Sequence, residues 1–139
     1  MKLSESTAKV IDLASAIRDY WESELPKRHP NYPFVDPGED SGPPPPEEAE
    51  LRSLLEKLPE EEIYELLLLT HLGRGGLATR DLATHYRELR ETYRNRESAT
   101  SQIEGRGSLA YYLENGLAKL QKSGIDVDQL ALAAAVSSV

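Results

Sequence analysis

The sequence predicts an all-α protein, a compact bundle of about five to six short helices with a Pro-rich acidic linker after the first helix. Apolar residues recur at helical spacing along most of the 139-residue chain. Prolines and glycines stand near the ends of most of these segments, where helices stop. Residues 66–76 run from four leucines into a loop of three glycines around one arginine, so the helix before that loop must be buried on most of its circumference.

Composition excludes several classes of protein. The chain contains no cysteine, which rules out disulfide bonds, thiolate metal sites and a cysteine nucleophile. Its leucine run, residues 66–69, is far too short to span a bilayer, and no apolar stretch of signal-peptide length follows the first residues. We therefore expect a cytoplasmic protein without a membrane partner, in the style of a bacterial sequence.

The formal net charge of −8 is unevenly distributed along the chain. Residues 1–65 carry 7 basic and 16 acidic side chains, whereas residues 66–106 carry seven arginines and five acids. Overall acidity disfavours nonspecific binding to DNA, because long-range repulsion opposes the approach of a local basic patch. The arginine cluster nevertheless leaves a specific anionic partner open.

The chain divides into an N-terminal helix, a linker and a helical core within one domain. The helix lies in residues 1–25 and begins near Ser6 or Thr7, either of which can cap it. It ends by Leu25, because Pro26 disfavours helical geometry in the residue before it. Residues 26–46 predict an extended, partly polyproline II linker, and its part from 38 to 46 has nothing to bury.

The sequence of the core, residues 47–139, predicts four helices and a short terminal helix. Pro59 separates the first two, whose early glutamates suit the positive end of the helix dipole. Residues 98–107 are predicted to be a loop. Gly116 interrupts the last long helix at a cost of about 1 kcal/mol relative to alanine, so it predicts a close helix crossing. The helices cover residues 47–58, 60–72, 79–95 and 108–123, and Gly124 precedes an Ala-rich segment that Asp126 and Gln129 cap.

Three segments carry a family resemblance: Glu50-Leu51-Arg52, Leu72-Gly73-Arg74-Gly75, and residues 110–117 with the sequence Ala-Tyr-Tyr-Leu-Glu-Asn-Gly-Leu. In this order and spacing they resemble the domain of unknown function 3775 family over most of the chain. Where the family has an acidic residue after Gly-Arg-Gly, this chain has Gly76. The resemblance implies a bacterial helical domain with an N-terminal helix and an acidic connection before the core, and it implies no activity.

The glycine loop at residues 73–76 admits two interpretations. Free backbone N–H groups, Arg74 and a following helix start favour a small-anion or nucleotide site. No Gly-Lys-Ser/Thr sequence occurs there and no strand precedes the loop, so neither a P-loop nor a dinucleotide fingerprint applies. The alternative is a left-handed C-cap at Gly73 followed by a tight turn, with Arg74 covering helix carbonyls or pairing with an acid.

The next helix carries a face of arginines. Arg80, Arg87 and Arg94 recur every seven residues beside Arg90, and this face could lie against phosphates as in a helix-turn-helix regulator. Glu91 favours a different interpretation, because its spacing from Arg87 and Arg94 predicts ion pairs on a solvated face. The opposite side carries an inner seam of Leu82, Tyr86, Leu89 and Tyr93.

Catalysis has little support in the sequence. His29, His71 and His85 are scattered, and none has the paired spacing of a helical metal site. We expect no catalytic residue, metal or cofactor, because the clustered glutamates already serve helix starts.

These observations predict a non-enzymatic helical interaction or structural module that self-associates, since symmetric dimers are the commonest assembly. A nucleic-acid regulator and a small-anion binder are the alternatives. The predicted contact surface is Gly73, Arg74, Gly75, Arg80, Arg87, Arg90 and Arg94.

Overall fold

The computed structural model describes residues 2–28, 43–104 and 108–130, and no β-strand occurs in those ranges. The all-α prediction is therefore confirmed. Most of the predicted linker and the Ala-rich segment after residue 130 lie outside the described residues. The helices are α1 (Leu3–Arg28), α2 (Pro46–Lys57), α3 (Glu60–Arg74), α4 (Leu82–Thr92), α5 (Arg96–Glu104) and α6 (Leu109–Lys122), with 3-10 turns at Thr79–Asp81 and Val127–Gln129.

Helix α3 is the centre of the bundle. Every residue from Ile63 to Gly73 is buried, because α4, α5 and α6 all pack against this helix. Helix α1 packs against α2 and α6 and so belongs to the same bundle. The prediction that the leucine-rich helix is buried on most of its circumference is confirmed.

Helices α3 and α6 cross with their backbones in close contact. A Cβ atom added at Gly116 would lie 2.5 Å from the carbonyl oxygen of Leu69, and one added at Gly73 would lie 1.6 Å from that of Tyr112. Neither position has room for a side chain, since real Cβ atoms essentially never approach other heavy atoms within 3.0 Å. The close crossing predicted at Gly116 is confirmed.

The predicted C-cap at Gly73 is wrong. Helix α3 continues to Arg74, and Gly75 ends it with a φ of 103°. Gly73 lacks a side chain because α6 approaches there, whereas positive φ is needed only two residues later. The end of α3 also receives a tertiary cap, since Lys119 Nζ donates to the carbonyl oxygen of Leu72 at 2.8 Å.

Helix α1 begins and ends outside its predicted limits. Asp128 caps its first turn from a distant part of the chain, accepting from the backbone N of Ser4 at 2.8 Å and from its Oγ at 2.9 Å. Thr7 is therefore inside the helix, where its Oγ1 donates to the carbonyl oxygen of Leu3. At the other end the helix includes Pro26. A proline so close to the C-terminus removes only one of the last hydrogen bonds.

Helix α5 replaces most of the loop predicted over residues 98–107, of which 105–107 lie outside the described residues. Asn95 Oδ1 accepts from the backbone N of Ser98 at 2.8 Å, which is a local helix-start bond. Ala99 and Ile103 are buried against the core, and α5 packs on α3. Two apolar residues four positions apart are a weak helical pattern. Burial against α3 therefore stabilises this helix more than its local sequence does.

The side chain of Arg96 links α5 to α2. Its guanidinium donates to the carbonyl oxygens of Leu55 at 2.7 Å, Glu56 at 3.0 Å and Leu58 at 2.6 Å. These are carbonyls that the end of a helix leaves without partners. One arginine thus stabilises the C-terminus of α2 from the first residue of α5.

Candidate contact surface

Helix α4 has an inner side and an outer side. It packs chiefly against α3 and the 3-10 turn that precedes it. The predicted inner seam is confirmed, because Leu82 and Leu89 are buried and Tyr86 and Tyr93 pack against the core with partial exposure. The outer side of α4 is left to solvent, and it carries charged residues.

Arg90 is bound to the aromatic residues beneath α4. Its guanidinium carbon lies 4.7 Å from the ring centroid of Tyr64 and 5.8 Å from that of Tyr86, and Nη1 donates to Tyr86 Oη at 3.2 Å. Burial raises the pKa of the Tyr86 hydroxyl, and the Arg90 hydrogen bond opposes that rise. Tyr64 Oη in turn donates to the carbonyl oxygen of Tyr93. Arg90 therefore holds α4 on α3, although the sequence placed it in the contact surface.

Helix α4 is shorter than the predicted helix over residues 79–95, so Arg80 and Arg94 lie outside it and the predicted arginine face does not lie on one helix. Arg87 and Glu91 on α4, with Arg94 two residues beyond its end, form what we call the outer stripe, and all three are exposed. Their spacing predicted ion pairs within the chain. Yet none of the three makes a hydrogen bond or an ion pair with any residue in the described part of the chain. The stripe thus presents alternating charges that its own helix does not neutralise.

The remaining predicted contact residues lie around the end of α3. Gly73 is buried in the crossing with α6 and is not accessible to a partner. Arg74 is exposed and forms no ion pair with the described residues, so it neither caps α3 nor pairs with an acid. Gly75 is half-buried, and Arg80 is exposed with Nε 4.0 Å from Asp81 Oδ2. Among the described residues, no hydrogen bond or ion pair joins these residues to the outer stripe.

The structure brings together two histidines that the sequence left scattered. His71 Nδ1 on α3 lies 2.9 Å from His85 Nε2 on α4, and one of the two nitrogens donates to the other. His85 Nδ1 lies 3.6 Å from Glu88 Oε2. Position 71 lies within the fully buried length of α3, so a polar partner from α4 satisfies a ring nitrogen that would otherwise be costly to bury.

Glu65 is the functional candidate that the sequence interpretation missed. It belongs to the buried length of α3 and is 7 % exposed. Burial, followed by the nearby negative charges of Glu62 and Glu61, raises the pKa of its carboxyl to about 7. The sequence does indicate a buried acid here, because a helix predicted to be buried on most of its circumference must also bury the polar residues within it.

The described residues hold neither a metal-ligand cluster nor a membrane-spanning helix. No group of three or more histidine, aspartate or glutamate side chains there is arranged to hold a metal ion. No described helix combines the length and the apolar character needed to cross a membrane.

Comparison with known proteins defines a class of helical domain rather than an activity. The family model described as "Protein of unknown function (DUF3775)" matches residues 48–121. This segment is more than half of the chain and runs from the first turn of α2 to the last turn of α6. The chain therefore belongs to the DUF3775 family. No curated protein and no solved structure matches the chain.

Proposed function

We propose that this protein is a non-enzymatic helical module that forms a symmetric dimer through the outer side of α4. The observation that carries the proposal is the outer stripe. Arg87, Glu91 and Arg94 are exposed and have no ion partner among the described residues, although the spacing of Arg87 and Glu91 would allow pairing within the helix.

A two-fold axis makes the stripe self-complementary. When α4 of a second copy lies antiparallel to the first, an axis between positions 87 and 91 places each Arg87 opposite Glu91 of the second copy. An isologous contact of this kind forms twice, because residue i meets j and j meets i, so the dimer contains two Arg87–Glu91 pairs. The four-residue spacing of Arg87 and Glu91 along α4 is therefore suited to a second copy of the same helix.

The position of α4 also favours this contact. The helix packs chiefly against α3, and Arg90 fixes it there through two tyrosine rings. A partner thus meets a preorganised surface bordered by the half-exposed Tyr86 and Tyr93. Exposed ion pairs contribute only about 0.2–1 kcal/mol each, so we expect a weak dimer whose formation depends on salt and protein concentration.

Charge exchange provides the test. Sedimentation velocity of the full chain at several concentrations measures the dimer for the wild type, Arg87→Glu, Glu91→Arg and the double variant. Each single reversal replaces two attractive pairs by two repulsive ones and should weaken the dimer by about five-fold to thirty-fold. The double variant exchanges the charges and should restore it. Lys9→Glu, an exposed reversal on α1, is the matched control and should leave the dimer unchanged.

Three results would overturn the proposal. The first is a wild type that remains monomeric at every concentration and salt. The second is a double variant that associates no better than the two single variants. The third is a wild type that instead binds a mixed DNA or RNA oligonucleotide with steep salt dependence, lost in Arg87→Glu and not restored by the exchange.

A further inference from the structure

A cleft of about 320 Å³ lies on a different part of the molecule, where the starts of α1 and α3 meet the 3-10 turn at Val127–Gln129. Its walls combine apolar and acidic side chains. Leu3 and Pro59 supply the apolar part, whereas Glu61, Glu62, Glu65 and Asp128 supply carboxylates. Lys2 is the single basic residue among the described residues that line it.

Glu65 is the unusual member of this lining. Its side chain is more than nine-tenths buried and lines the cleft. It makes no hydrogen bond or ion pair with any residue in the described ranges. Burial penalises the ionised form of a carboxyl that no donor meets, which is the main reason that the pKa of Glu65 is raised.

The other carboxylates of the cleft already have roles. Asp128 accepts two hydrogen bonds from Ser4, and Glu62 Oε2 lies 3.4 Å from Ser6 Oγ. Glu61 belongs to the first turn of α3, where an acid complements the helix dipole. Glu65 lies one turn further along the helix and has neither function. The cleft therefore has more acidic than basic residues in its lining, and the carboxyl of Glu65 accepts no hydrogen bond from the described residues.

We propose that this cleft binds a small organic cation with primary ammonium groups, of the aliphatic diamine class. One ammonium group donates up to three hydrogen bonds and can meet Glu65, while the second can lie beside Glu61 or Asp128 in the same cleft. The methylene stem of such a molecule can lie against Leu3 and Pro59. A metal ion suits the cleft less well, since the described carboxylates are not arranged as a ligand set.

The protonation of Glu65 makes the affinity depend on pH. Its pKa is raised to about 7 by burial and by Glu62 and Glu61. Only the ionised carboxyl attracts an ammonium group, and raising the pH from about 6 to about 8 increases the ionised fraction roughly ten-fold. Binding should therefore tighten with pH and release protons. The charged or titratable groups that act on this site are Glu61 and Glu62 on α3, Lys2 before α1, Asp128 in the 3-10 turn and Tyr86 on α4.

Isothermal titration calorimetry of the full chain with putrescine tests the proposal. At constant ionic strength the wild type should bind one putrescine saturably, about ten-fold more tightly at the higher pH. Glu65→Gln keeps the size of the side chain and should lower the affinity by about ten-fold or more and remove its pH dependence. Glu50→Gln, on the exposed surface of α2, removes an equal charge and should bind like the wild type.

A second measurement does not depend on any variant. In carbon NMR of the wild type, saturating putrescine should lower the pKa of the Glu65 carboxyl, because a bound cation favours the ionised form. The proposal fails if the wild type shows no saturable binding at the higher pH, or if the Glu65 carboxyl titrates identically with and without putrescine. Equal binding by a properly folded Glu65→Gln variant, or equal competition by Mg²⁺ at matched charge, would also overturn it.

Discussion

Helices α3 and α4 are neighbours in sequence and in space, yet they use their residues in opposite ways. Eleven consecutive residues of α3 are buried, from Ile63 to Gly73. In α4, three of eleven residues are buried, and the outer side carries Arg87 and Glu91, which have no ion partner in the part of the chain that the structure describes. The difference shows that a helix packed along most of its length leaves little surface for a partner, and in α3 only the start of the helix lines a cleft. Helix α3 stabilises the bundle, and α4 presents a surface.

Polar side chains show the same contrast on a finer scale. Inside α3, Thr70 Oγ1 donates to the carbonyl oxygen of Leu66, and His71 contacts His85. On the outer side of α4, Arg87 and Glu91 make no such contacts with the described residues. Burial makes an unsatisfied polar group costly, whereas water satisfies an exposed one at little cost. Glu65 departs from this rule within α3.

The largest expected effect comes from a substitution that disrupts the crossing of α3 and α6. Gly73→Ala would place a Cβ atom 1.6 Å from the carbonyl oxygen of Tyr112, so the two helix backbones must separate. We expect the free energy of unfolding to fall by about 3–5 kcal/mol, measured by urea denaturation. Gly76→Ala is the matched control, because its site is open and only the φ of 81° is unfavourable. It should cost about 1 kcal/mol. Equal losses would contradict the close crossing.

A smaller effect tests the acid buried in α3. The folded pKa of Glu65 is about 7 against an ordinary value of 4.5, so the folded protein retains a proton that the unfolded chain releases between these values. The unfolding free energy should therefore fall as pH rises from 4.5 to 7, by about 3 kcal/mol, and then level off. Glu65→Gln should flatten this part of the wild-type pH profile. An unchanged profile would show that Glu65 does not titrate differently in the two states.

The smallest expected effect is the difference in stability between alanine variants of two arginines of α4. Arg90→Ala removes the contacts with the rings of Tyr64 and Tyr86 and should lower the unfolding free energy by about 1 kcal/mol. Arg87→Ala removes an exposed side chain that makes no hydrogen bond or ion pair with the described residues, and it should change the unfolding free energy by less than about 0.5 kcal/mol. Thermal unfolding at low protein concentration compares the two monomers. The reverse order would mean that the outer stripe, not Arg90, holds α4 on the bundle.

Much of this organisation follows from the sequence alone. Heptad-like spacing in Leu82, Tyr86, Leu89 and Tyr93 determined which side of α4 faces inward, because apolar side chains one turn apart share a face. Pro59 determined the break between α2 and α3. Gly116, a poor helix former inside a strong helical pattern, pointed to the crossing with α6. Local propensity and periodicity were sufficient for these features, since each depends on residues close together in the chain.

Other features depend on residues far apart in the chain, and only the tertiary structure decided them. Asp128 caps α1 across 124 positions and so moves its start to Leu3. Arg96 caps α2 from α5, a helix whose own pattern is weak. A glycine at position 73 is compatible with a helix end and with a close helix crossing. The approach of α6 makes it a crossing residue. The sequence thus determined where helices form and which faces are apolar, whereas folding determined which backbone groups, charges and glycines meet, because those contacts exist only after distant segments pack.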